Sequence, residues 1–262
     1  MTRKDGGIFV GLLVFAFLLN SWGLAKWQSP GGRYWIWLAT TGLAIVVVMS
    51  IGSALTGHPT GVIINNRNMM SLSKLQMLIW TLVVFPALVT AAAANLVGIG
   101  DELASTGPLD INIPNELLAA LGLAGASLVG SPVILNTKAS SEAHPDELPS
   151  TTAQLGLQPS QVNANGKVFA KTSRDDAQWA DLFRGDEVGN ADTVDLGKVQ
   201  QFFVTLLLAG IYLGSIAKIF DEDGAIQALP PLSEKFVWLL AVSHGTYLAS
   251  KAAPHTKDPK SS

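Results

Sequence analysis

The chain has 262 residues, 48% of them hydrophobic and only 14% charged, with a mean hydropathy of +0.35 and a net charge of −3 at pH 7. That balance points away from a soluble domain with a solvated charged surface, and an acidic chain without a basic stripe argues against a nucleic-acid partner. With no cysteine present, disulfides, thiolate metal sites and a cysteine nucleophile are excluded together.

Long charge-free stretches begin at Gly7, Tyr34, Leu75, Leu117, Val199 and Phe236, and six transmembrane helices are expected from them. The expected fold is an all-α membrane protein. Its parts are an N-terminal transmembrane hairpin (1–60), a first repeat hairpin (61–135), a cytoplasmic linker with an amphipathic helix (136–194), a second repeat hairpin (195–252) and a cytoplasmic tail (253–262). At the N-terminus, Arg3 and Lys4 precede an apolar run from Ile8 to Leu19, and Gly23-Leu24-Ala25 has the form of a signal-peptidase site. Trp22 and Trp27 flank that site in the manner of an interfacial aromatic belt, so an uncleaved first helix is expected.

Ser71-Leu72-Ser73-Lys74-Leu75-Gln76, followed by Thr81-Leu82, aligns with Asp195-Leu196-Gly197-Lys198-Val199-Gln200, followed by Thr205-Leu206. Ser71 and Asp195 suit helix N-caps, Lys74 and Lys198 mark the membrane boundary, and Gln76 and Gln200 lie one turn inside it. The alignment predicts that the third and fourth helices form a hairpin that the last two repeat in the same orientation, about an axis along the membrane normal. Within the third helix Pro86 marks a kink, and Asn95 falls close to the outer end.

Each hairpin closes on a ladder of small residues at four-residue spacing: Gly122, Ala126 and Gly130 in the first, Ala241, Gly245 and Ala249 in the second. Such a stripe lets helix backbones approach closely in lipid, where no hydrophobic force drives helices together, and it predicts packing within and between protomers of a homo-oligomer. The last helix is short, bracketed by Lys235 and Lys251, and carries His244, the one histidine expected within a span. Gln76, Gln200 and His244 are the candidate intramembrane polar residues, read first as hydrogen-bonding glue between helices and second as the lining of a pore.

Between the hairpins, Lys138 to Gly166 is rich in Ser, Thr, Pro, Gln and Asn without clear periodicity and is expected to be extended or partly disordered. Trp179, Leu182 and Phe183 fall on one face of Asp175 to Arg184, ahead of Gly185 as a C-cap, which predicts a short amphipathic helix on the membrane surface. The acids Asp186, Glu187, Asp192 and Asp195 lack the alternating ligand spacing of a calcium loop and read as a solvated turn. Neither a metal nor a cofactor is expected.

Orientation follows from the basic residues. With a cytoplasmic N-terminus, only Lys26, Arg33, Lys218 and Lys235 of the 17 lysines and arginines fall outside, and the loop from Gly98 to Glu116 has acids but no base. The positive-inside rule then places both termini in the cytoplasm.

The strings Gly61-Val62-Ile63-Ile64-Asn65-Asn66-Arg67-Asn68, Trp179-Ala180-Asp181-Leu182-Phe183-Arg184-Gly185-Asp186-Glu187 and Ser243-His244-Gly245-Thr246-Tyr247-Leu248 resemble a family of uncharacterised multi-pass proteins of the bacterial inner membrane. The resemblance runs from about Gly61 to His255 and implies location and topology; it carries no activity and no functional residue.

The chain holds no GxSxG, HExxH, Walker or GxGxxG signature, and its histidines (His58, His144, His244 and His255) are not spaced as ligands, so an enzyme is not expected. The expected function is an integral membrane scaffold or anchoring subunit that self-associates in the lipid bilayer and docks a cytoplasmic protein partner. The alternative is an oligomeric channel lined by Gln76, Gln200 and His244.

Overall fold

In the computed structural model, residues 30–98, 109–222 and 224–259 are described, together with residues 11, 15, 16, 20, 23 and 107. Most of the first expected span, and the tryptophans beside it, lie outside these residues. Six helices follow in order: α1 (Pro30–Thr56), α2 (Leu72–Gly98), α3 (Asn115–Ala139), α4 (Glu147–Gln154), α5 (Leu196–Phe220) and α6 (Glu234–Ala252). One antiparallel hairpin, β1 (Val162–Asn165) with β2 (Val168–Lys171), sits between α4 and α5.

Four helices, α1, α2, α3 and α5, are long and apolar enough to cross a membrane. At 1.5 Å per residue they are about 38 to 40 Å long, more than the roughly 30 Å of a hydrocarbon core. Their outward faces carry Phe85, Val129, Val133 and Phe203, large apolar side chains that water would penalise and lipid would not. These helices support a multi-pass membrane protein. Six spans are not supported: among the described residues four helices qualify, and the 19-residue α6, broken up by Glu234, Lys235, His244 and Lys251, is not one of them.

The chain divides into two compact units. The first comprises residues 1–62, 78–119 and 207–237. Its polar groups satisfy loop backbone. Asn95, expected at an interface, is buried: its Nδ2 donates to the Ile226 carbonyl at 2.9 Å and its Oδ1 accepts from the Ile226 amide at 3.0 Å. Arg33 donates to the Gly224 carbonyl at 2.7 Å just past the end of α5, where helix carbonyls need donors. Trp37 packs on Phe220 and Trp80 on Tyr212 to fill the unit's interior.

The second unit comprises residues 63–77, 120–206 and 238–262, and contains the whole segment between α3 and α5. The expectation of an extended or partly disordered stretch from Lys138 to Gly166 is overturned, because α4 and β1 both form there. Met69, Val162, Phe169, Val188 and Ala191 make a small core, with Leu148, Leu155 and Leu157 packed against it. The hairpin turns on Gly166 at φ +57°, where a Cβ would come within 2.3 Å of the Ala139 carbonyl oxygen, so glycine is required on both counts.

The expected amphipathic helix over Asp175 to Arg184 is absent. Two separate 3-10 turns, Arg174–Asp176 and Trp179–Leu182, take its place, with the chain extended at Ala177 and Gln178 between them. The competing interaction is visible: the Asp181 carboxylate accepts from the Gln178 amide at 2.8 Å and from Lys171 Nζ at 2.7 Å, which caps a tight turn instead of continuing a helix. Leu182 is buried, Phe183 stacks edge-on with Phe202, and Trp179 is 57% exposed, so the three do not share a membrane-facing side.

Candidate functional site

The second unit concentrates its charge at one buried point. Gly185, a position where any Cβ would collide with Asn190, lets the Asn190 side chain fold in and accept the Glu187 amide at 3.0 Å. The segment that follows runs beside β2, with Phe169 N–H to the Asp186 carbonyl at 3.0 Å and Val188 N–H to the Lys167 carbonyl at 2.9 Å. The Asp186 side chain is thereby fixed. Three cations converge on it: Arg67 from the loop ahead of α2 on Oδ1, and on Oδ2 both Lys251 from the last turn of α6, at 2.5 Å, and Lys198 from the first turn of α5, at 3.0 Å.

All four side chains are between 3% and 11% exposed. Burial acts to raise the Asp186 carboxyl, but Lys198, Lys251 and Arg67 outweigh it and hold it well below the usual carboxylate range. The acids expected to form a solvated turn are therefore in part a buried ionic hub. Glu187 is buried too, and it pairs with Lys138 at 2.5 Å. Asp195 does cap α5, accepting the Lys198 amide at 3.1 Å.

A cleft of about 280 Å³ opens onto this hub. Arg67, Lys74, Lys198 and Lys251 line it, and Asp186 is the one acid among the lining residues. Ser71, Leu72 and Ser73, which lead into and form the first turn of α2, make part of the wall; Leu128, Pro132 and Leu135 of α3 make an apolar side. Four basic side chains face one carboxylate among the lining residues, and the arrangement can hold a negatively charged group.

Above the hub α6 carries a file of polar side chains at His244, Tyr247 and Lys251, spaced three and four apart and so on one face. The Tyr247 hydroxyl lies 3.1 Å from Ser73 Oγ and donates to Ser131 Oγ at 3.2 Å. His244 Nδ1 lies 2.5 Å from Ser127 Oγ and 2.8 Å from Gln201 Nε2. Gln76 Nε2 donates to Thr205 Oγ1 at 2.7 Å and to the Gln201 carbonyl at 3.3 Å. Four buried atoms here have no hydrogen-bond partner among the described residues: His244 Nε2, Gln76 Oε1, Gln201 Oε1 and Ser243 Oγ.

Of the polar residues singled out from the sequence, Gln76 and His244 belong to this network and Gln200 does not. Gln200 is exposed, and its neighbour Gln201, fully buried, makes the contacts. The expected repeat is not supported, since its two matched glutamines occupy opposite environments. Most of the small-residue ladder also faces outward: Gly122, Ala126, Gly245 and Ala249 are exposed, and of its three glycines only Gly130, where a Cβ would lie 3.6 Å from the Leu248 methyls, has an intrachain neighbour so close. The buried small residues of α3 are Ala120, Ala124, Ser127 and Ser131. Sequence reasoning missed the hub, although the lysines closing α3 and α6 and opening α5, opposite Asp186-Glu187, were its signal.

Compared with protein-family models, curated proteins and solved structures, the chain has no match in any of the three.

Proposed function

We propose that this protein is an anchoring subunit of the bacterial inner membrane, which self-associates through its outward small-residue faces and presents the lobe between α3 and α5 to a cytoplasmic protein partner. The observation that carries this reading is the Asp186 hub. It ties the lobe to the ends of α5 and α6 by buried ion pairs, as a platform needs and a passive linker does not. The lobe's exposed Trp179 offers an aromatic anchor of the kind enriched at interfaces.

The absence of native cysteine makes the test direct. A single cysteine at Gly122 or Gly245 should crosslink protomers in membranes, and a photoreactive residue at position 179 should crosslink a distinct protein in cells. A purely monomeric crosslinking pattern together with no adduct at position 179 would remove the reading.

The partnerless polar atoms around His244 favour a second reading, a path for protons or water along α6. Reconstituted vesicles decide between the two: a conducting protein should leak protons, with the leak reduced by Gln201→Leu and untouched by Gln200→Leu.

A further inference from the structure

We infer that the cleft beside Asp186 binds a phosphate group, either on a soluble molecule or as the headgroup of an anionic lipid. The first ground is charge. Elsewhere in the same unit cations are matched one to one, buried Lys171 with Asp181 at 2.7 Å and partly buried Lys138 with Glu187 at 2.5 Å. At the hub buried Lys198 and Lys251 and partly buried Arg67 share one carboxylate, and Lys74 adds a fourth positive charge to the cleft wall. A buried charge without a counter-charge is costly, so the surplus calls for an anion in the space the cations line.

The second ground is unused donor capacity. An ammonium has three N–H donors. Lys251 places one of them on Asp186 and rests over the Tyr247 ring, and Lys74 places one on the Ile64 carbonyl at 2.7 Å. The amino groups that remain, with the Ser71 hydroxyl and the opening turn of α2 at the same wall, are the donor set that phosphate oxygens require.

The third ground is size and polarity. About 280 Å³ is near the lower end of small-ligand pockets and gives room for a phosphate with the first few atoms it is esterified to. Leu128, Pro132 and Leu135 give those atoms an apolar wall.

The test uses the full-length protein in a mild neutral detergent, with binding measured by native mass spectrometry and by the shift in melting temperature. The probes are inorganic phosphate, glycerol 3-phosphate and phosphatidylglycerol in mixed micelles, against sodium chloride at matched ionic strength and phosphatidylcholine. Saturable binding of either soluble phosphate identifies a soluble ligand, whereas binding confined to phosphatidylglycerol identifies a lipid headgroup. Lys74→Gln, which leaves the Asp186 pairs intact, should weaken the responsive probe about tenfold or more, as expected for one charge-assisted hydrogen bond. Ser71→Ala, a milder change in the same wall, should also weaken the responsive probe and reads the site if Lys74→Gln fails to fold. Stabilisation by none of the three phosphate probes overturns the proposal, and so does binding that both variants leave at the wild-type level.

Discussion

Two buried ionic sites lie within the same unit and obey opposite rules. Lys171 and Asp181 are 1% and 0% exposed and form a closed pair, with Lys171 also donating to the Asp176 carbonyl and Asp181 accepting backbone amides. One cation meets one acid there, and the site reads as structure. The Asp186 hub is less completely buried, holds three cations against one acid, and abuts a cleft. Complete compensation marks a clasp, and a surplus of one sign marks a place for something else.

Removing the acid at each site breaks this comparison most sharply. Asp186→Ala strands three cations at once and should be the most damaging single change in the chain, exceeding the about 3–5 kcal/mol typical of a broken buried pair. Asp181→Asn strands one lysine and should fall within that range. Thermal unfolding followed by intrinsic fluorescence in detergent ranks them, and equal losses would mean that the hub is no more charge-loaded than the clasp.

Acid titration separates the sites in another way. The Asp186 carboxyl is depressed in the folded protein, so the stability it supplies is complete above the ordinary carboxylate value of about 4 and is lost as pH falls below that, through the depressed value. Wild type should hold its melting temperature from neutral pH down to about 5 and lose it steeply in stronger acid. Asp186→Asn should flatten that loss, and a parallel acid limb in wild type and variant would refute the assignment.

Much of the membrane part was legible in the sequence, because length and hydropathy alone determine whether a helix can span. The lobe was less so. Asn165-Gly166 flanked by Val162 and Val168 is a hairpin signal that a polar composition hid, since apolar residues on one face of a short strand scarcely raise the average. The amphipathic helix failed because periodicity over Trp179, Leu182 and Phe183 ignored the capping power of Asp181. The hub was harder to read: helix-end lysines and the Asp186-Glu187 pair hinted at it, but Arg67 and Lys251 lie 119 and 65 residues from Asp186, and only tertiary structure brings them together.

The glutamines show how narrow such a reading can be. Alignment chose Gln200, yet a shift of one residue turns a helical side chain by about 100°, and Gln201 is the one that meets His244. Gln201→Leu removes that bond and should cost about 1 kcal/mol, because buried His244 loses a partner while the Gln201 backbone carbonyl that Thr205 and Gln76 use stays in place. Gln200→Leu, on an exposed face, should leave the melting temperature within error of wild type.

The smallest expected effect concerns the ladders. Gly122→Leu and Gly245→Leu add bulk where the chain itself has nothing within 4 Å, so the folded protomer should tolerate both with little change in unfolding. If those faces pack against second copies, the same substitutions should shift mass-photometry profiles from oligomer to monomer, since a flat stripe is what allows close approach in lipid. The same two glycines would then separate folding from assembly. Unchanged profiles for both variants would leave the ladders as lipid-facing surface and move self-association to another part of the molecule.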